Sequence, residues 1–199
     1  MNIAVLASGN GSNFEAIVQA QKRGYIKANI KLLLVNKANA FVRQRARRLG
    51  IREIFLNPKN YPQPLDFDRA IVRVLKKEKI HLVVLAGYLR VLSSYFVKSY
   101  KNRILNIHPA LLPSFKGIDS IARAFRYGCK ITGVTVHFVD EKVDHGPIIF
   151  QEPIRVEKGV SLSGLEKKIH QLEHKLYPLA IKLVSEKKVK IKGRYVSVA

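Results

Sequence analysis

Short, almost wholly apolar runs recur along this chain, and stretches of helical period separate them. No other feature limits the possible folds as much. The runs "NIAVLA" (2–7), "IKLLLVN" (30–36), "REIFL" (52–56), "HLVVLA" (81–86), "RILNI" (103–107), "ITGVTVHFV" (131–139) and "PIIFQEPI" (147–154) read as strands. Between them, "FEAIVQAQKRG" (14–24), "FVRQRARRLG" (41–50), "LDFDRAIVRVLKKEK" (65–79), "SYFVKSY" (94–100) and "DSIARAFRYG" (119–128) read as helices, and "NPKNYPQP" (57–64) as a loop. A strand that lacks polar alternation is buried on both faces, so the pattern implies a mainly parallel sheet with helices on both sides, a three-layer α/β domain. At 199 residues one domain is expected over 1–199. A long helix is expected at 161–177, with Leu162, Leu165, Ile169, Leu172 and Leu176 on one face, kinked or ended at Pro178. A terminal hairpin is expected at 188–198, turning at Gly193.

In such sheets ligands bind beyond the carboxyl ends of the strands. That rule collects "SGNGSN" (8–13), "GYLRVLS" (87–93), the strand end at Asn106 and His108, and "DEKVDHG" (140–146). If all these strands are parallel, the four loops meet at one edge. In "SGNGSN" the glycines permit a tight turn, and Ser12 or Asn13 can cap the following helix; the same loop can cradle a phosphate with backbone N–H groups. Phe14 stands where a dinucleotide fingerprint has its third glycine, so no dinucleotide site is expected. Asp119 or Ser120 is expected to cap the helix at 119–128.

Asn106 and His108 lie two apart in a strand and therefore share a face. Each has a plain structural reading, as a strand-end amide and a packing histidine, and Asp144 one as a turn residue. Together they form a set with a chemical use. No Ser or Cys stands among them to form a covalent acyl-enzyme. An amide N–H and a protonated imidazole can both donate to a developing oxyanion. A carboxylate beside the imidazole favours its charged form and can relay protons. The set suits direct attack of an amine on a carbonyl or formyl carbon.

Charge widens the reading before it narrows it. Lys and Arg number 36 against 14 Asp and Glu, a formal net charge of +22. A solvated basic surface, nucleic-acid binding and capture of small anions all fit. Trp is absent and no stripe of aromatics alternates with the cations, so no specific nucleic-acid partner is expected. No apolar run is long enough for a membrane span, and the N-terminus lacks the charged region of a signal peptide. Cys129 is the only cysteine, which excludes an internal disulfide and fits a reducing cytoplasm.

Five stretches, "MNIAVLASGNGSN", "LAGYLRVLS", "ILNIHPALLPSFKG", "GVTVHFVDEKVDHGPII" and "HQLEHKLYP", resemble the phosphoribosylglycinamide formyltransferase family in one order over nearly the whole chain. The resemblance implies a Rossmann-like formyltransferase fold. It implies transfer of the formyl group of 10-formyltetrahydrofolate, a co-substrate, to the amine of glycinamide ribonucleotide in purine synthesis, without a metal. By the same resemblance Asn106 and His108 stabilise the oxyanion, and Asp144 holds His108 charged and assists proton movement. Gly11, Ser12 and Asn13 would hold the ribose phosphate, with His170 and Glu173 facing the nucleotide. Leu89, Arg90, Val91, Leu92, Asn106, Asp140, Glu141, Lys142 and Val143 would line the folate pocket. The partners implied are these two small molecules, with no membrane, for a monomer or homodimer.

Two departures stand out. Pro64 occupies a place where some family members carry an Arg near the folate tail, and Asp119 and Ile121 replace an H-x-H pattern. Rival readings are a formyltetrahydrofolate hydrolase, whose motif runs "NIHH" where this chain has "NIHP", and a formyltransferase acting on another amine, such as one on aminoacyl-tRNA. Both rivals usually carry a further domain for which this chain has no room. "HQLEH" (170–174) also matches a helical zinc pattern, but the chain after His174 offers only Glu186 as an acidic ligand.

Overall fold

The structure, a computed structural model, describes residues 1–199. Seven strands form one sheet in the order β3-β2-β1-β4-β5-β6-β7. They are β1 (Asn2–Ala7), β2 (Asn29–Val35), β3 (Glu53–Phe55), β4 (Leu82–Leu85), β5 (Ile104–His108), β6 (Ile131–Phe138) and β7 (Ile148–Arg155). The helices are α1 (Ser12–Lys22), α2 (Val42–Leu49), α3 (Pro64–Lys77), α4 (Ser94–Ser99), α5 (Ser120–Tyr127) and α6 (Leu162–Ser185), and a separate hairpin of β8 (Val189–Lys192) and β9 (Tyr195–Val198) follows. None of the helices is long and apolar enough to cross a membrane.

Alternate residues of one strand feed two cores. Ile3, Val5 and Ala7 face a cluster built with Phe14 and Ile17 of α1, Val42 of α2 and Leu165, Ile169 and Tyr177 of α6. Ala4 and Leu6 face the other side, with Phe67, Ile71 and Leu75 of α3 and Phe96 of α4. Burial on both faces is what the unbroken apolar runs demand.

The expectation of parallel strands holds for β1 to β5 and fails beyond. β5 pairs antiparallel with β6, and β6 antiparallel with β7. The stretch 139–147 is too short for the crossover of about a dozen residues or more that a parallel pair needs. The loop after β6 therefore starts at the edge opposite the strand ends. It folds back over the sheet face that carries Asn106 and His108. At its close, a side chain on Gly146 would collide with the Phe138 carbonyl.

Of the two expectations at Pro178, a kink or an end, the end is not met: α6 runs on to Ser185 with Pro178 inside it. Pro178 is buried between Tyr177 and the downstream core residues Ala180 and Ile181, whose packing outweighs the hydrogen bond lost at proline. Tyr177 is fully buried, and its hydroxyl lies 2.8 Å from the Leu85 carbonyl and 3.0 Å from that of Leu105. Pro64 sits in the first turn of α3, where its missing N–H costs nothing.

Candidate active site

The chain runs outward from β1 to β3 on one side and from β4 to β5 on the other, so a crevice opens between the ends of β1 and β4. Ser8, buried there, clasps the two loops. Its N–H donates to Gly87 O at 3.0 Å, and its Oγ accepts from Leu89 N at 2.9 Å. The crevice widens into a cleft of about 1160 Å³. Every candidate residue from the sequence lines it: Gly11, Ser12, Asn13, His170 and Glu173 in one arm, Leu89–Leu92 and Asp140–Val143 in the other, and Asn106, His108 and Asp144 where the arms meet.

In the first arm, neither Ser12 nor Asn13 caps α1. Gly11 holds the cap position at φ 80°, and no side chain bonds the first-turn amides. Those amides are free for an anion. Asn13 Nδ2 instead donates to Glu173 Oε2 at 2.9 Å, and His170 Nδ1 lies 2.8 Å from the same oxygen. That bond, against the opposing effect of burial, raises the His170 pKa and favours a cation beside the anion loop. Arg45 of α2, which sequence reading did not single out, props the loop by donating to Asn10 O and Asn10 Oδ1, both at 2.9 Å, while also pairing with Glu15.

Gly11 also needs its lack of a side chain, because a Cβ there would overlap Val42 of α2. Ala at this position incurs a left-handed penalty and an overlap, each of roughly 1–3 kcal/mol. Gly11→Ala is expected to lower the denaturant midpoint by a matching amount, and a wild-type midpoint would show that α1 and α2 part freely.

In the second arm, Leu89, Val91 and Val143 are exposed apolar side chains at the mouth, and Leu92 is buried behind them. Arg90 lies over the Phe67 ring, 4.7 Å from its centre. Glu141 bonds Ser94 Oγ at 2.5 Å. Asp140 accepts from Lys142 N at 3.0 Å and faces His145 Nδ1 at 2.7 Å. The Asp119–Ile121 stretch divides: Asp119 lines the cleft at φ 54° without capping α5, and Ile121 turns into the core.

At the junction, Asn106 Nδ2 is 3.3 Å from Asp144 Oδ1 and 3.2 Å from His137 Nε2. His108 Nε2 is 2.9 Å from the Phe115 carbonyl, and its Nδ1 is 3.3 Å from Asp144 Oδ2. Gly117 N donates to that same Asp144 oxygen at 2.8 Å. His137 is the buried member that sequence reading missed. It stands opposite Asn106 in the β5–β6 register, and its Nδ1 lies 2.7 Å from the Phe138 carbonyl. With Nδ1–H donated there, Nε2 is the acceptor for Asn106.

Burial opposes the charge on Asp144. The Gly117 N–H bond and the neighbouring His137 and His108 rings win, and the carboxyl stays below its ordinary range. For His108 burial wins instead. It holds the imidazole pKa below its ordinary value despite Asp144 and Phe115, with His137 and Arg123 pushing the same way. Burial thus works against the charge that Asp144 favours on His108. The pair is a carboxylate held toward its charged form beside an imidazole that burial pushes toward its neutral form.

An amide, an imidazole and a carboxylate meet at the crevice of a doubly wound sheet with no hydroxyl or thiol among them, a set suited to a group-transfer enzyme. The chain belongs to the formyl transferase family, which it matches over residues 1–181. It is 45% identical over 179 residues to Bacillus subtilis (strain 168) phosphoribosylglycinamide formyltransferase, covering 90% of this chain and 92% of that one. It is 38% identical over 191 residues to the protein of the same name from Escherichia coli (strain K12), covering 96% and 90%. The crystal structure of glycinamide ribonucleotide transformylase 1 from Symbiobacterium toebii superposes with a TM-score of 0.97 at 39% identity, covering 100% of this chain and 93% of that one.

Proposed function

We propose that residues 1–199 act as one catalytic domain that transfers the formyl group of 10-formyltetrahydrofolate to the amine of 5-phosphoribosylglycinamide. The observation that carries this reading is the meeting of Asn106, His108 and Asp144 between an anion-ready arm and an apolar-rimmed arm. The phosphate lies on Gly11, Ser12 and Asn13, and Glu173 holds the ribose hydroxyls beside His170. The folate packs against Leu89, Val91, Leu92 and Val143, with Arg90 and the loop at Asp140, Glu141 and Lys142 around it.

The amine attacks the formyl carbon, and the carbonyl oxygen takes up negative charge. Asn106 turns one N–H from its long contacts toward that oxygen. The amine proton enters the Asp144–His108 pair. It makes an imidazolium whose Nδ1–H serves both the carboxylate and the oxyanion, and it is then returned to the departing folate nitrogen. The amine loses one proton, the folate nitrogen gains one, and the formyl group moves between them.

The test is a coupled absorbance assay with 10-formyl-5,8-dideazafolate. Amine-dependent release of dideazafolate supports the reading; release without the amine would favour the hydrolase. The pH profile is a further check. Protonation of resting His108 removes the pair's capacity to accept a proton. Because burial lowers that pKa from 6.5, the acid limb of kcat/KM is expected below pH 6.5. A limb above 6.5 would mean a resting imidazolium.

A further inference from the structure

The loop that carries Asp144 is held from outside by the C-terminal hairpin. Arg194 sits between β8 and β9, and β9 lies against β7. Its Nη2 donates to the His145 carbonyl at 2.8 Å, and its Nη1 is 3.3 Å from both ring nitrogens of His145. His145 Nδ1 also faces Asp140 Oδ2 at 2.7 Å. The ring thus stands between the guanidinium and the Asp140 carboxylate. Asp140 in turn receives Lys142 N–H through its other oxygen. A continuous line of polar contacts thus runs from the hairpin through His145 and Asp140 to the loop's own backbone.

The loop needs such a brace. It begins at the far edge of the sheet and bends back across the face, and Asp144, at its turn, adopts φ 46°. Val143 is half exposed at the cleft mouth, so the loop gains little from burial. Its fixed points are the Gly146 approach to β6, the Asp144 contacts inside, the Glu141 contacts to Ser94 and Lys98 of α4, and the Arg194 contacts outside.

We propose that Arg194 is a positioning residue for the formyl-donor arm: by gripping the His145 backbone and ring it sets the 140–146 wall against which the donor packs, and so the approach of Asp144 to His108. This rests on the proposed formyl transfer for the identity of the donor, but not for the grip itself.

Arg194→Ala and Arg194→Lys are compared with wild type. Arg194→Ala is expected to raise KM for 10-formyl-5,8-dideazafolate about tenfold, the effect of losing one charge-assisted hydrogen bond. KM for glycinamide ribonucleotide and Tm should stay at wild-type values, since the side chain lies outside both cores. Amide exchange should rise across 140–146 and not in the 8–13 loop. Arg194→Lys should recover part of the donor KM, because an ammonium can still reach the carbonyl but cannot span carbonyl and ring. A wild-type donor KM together with unchanged exchange at 140–146 would overturn the proposal. So would an equal rise in both KM values with a lowered Tm, which is the mark of a merely structural contact. If wild type transfers no formyl group, the proposed reaction fails, and exchange at 140–146 still decides whether Arg194 holds the loop.

Discussion

Asn106→Asp is expected to lower kcat by more than roughly a thousandfold, well beyond the loss in Asn106→Ala, although the substitution exchanges atoms of nearly equal size. Two effects add. The variant loses a donor and aims a carboxylate at the site where negative charge develops. It also sets that carboxylate 3.3 Å from Asp144 Oδ1, where the amide nitrogen stood. Two carboxylates so close share a proton, so the Asp144 side of the proton-accepting pair is neutralised as well. Asn106→Ala removes only the donor, a loss of about a hundred- to a thousandfold. Single-turnover rates of both variants, with Tm as a control for folding, decide the matter. If the Asp variant is the faster, Asn106 does not face the oxyanion.

His108→Ala is expected to cost about a hundred- to a thousandfold in kcat, because proton acceptor and oxyanion donor disappear together. The change also strips the Phe115 carbonyl of a buried partner, a stability loss of about 1–3 kcal/mol. Tm should therefore fall by a few degrees without loss of the folded state. Substrate KM values should stay close to wild type, since neither arm of the cleft is touched. Turnover near that of wild type would remove His108 from the chemistry.

Much of this was legible in the sequence because it depends on local pattern. Uninterrupted apolar runs announced a sheet buried on both faces. Polar residues two apart at the end of such a run pointed to a strand end with a purpose. What escaped depends on tertiary relations. His137 was visible within "TVHFV", but its meeting with Asn106 depends on the register between β5 and β6, which no local pattern encodes. The downward shift of the His108 pKa follows from how deeply it is buried, and a neighbouring carboxylate alone suggests the reverse. Pro178 reads as a helix kink or stop by its own propensity, and the core contacts of the next turn carry α6 past it. The antiparallel turn of β6 and β7 could have been read, since 139–147 leaves no length for a crossover.

Tyr177 gives the cleft a ruler. Its hydroxyl rivets α6 to the carbonyls of Leu85 and Leu105, level with Asn106, and one helical turn before it the same helix presents Glu173 to the anion loop. Helix rise places those two positions about 6 Å apart along the axis. A rigid helix cannot shorten that distance, and the rivet forbids sliding. In the proposed reaction, the gap between Glu173, which would hold the ribose, and the level of Asn106, where the amine would react, is therefore set by backbone geometry rather than by side chains that adjust. An acceptor one methylene longer would still reach both ends of the cleft, yet hold its amine about 1 Å from the productive place, an error that can cost roughly a hundredfold in rate. On the proposed reaction, selection among amines would then be a matter of length, imposed by a residue outside the cleft.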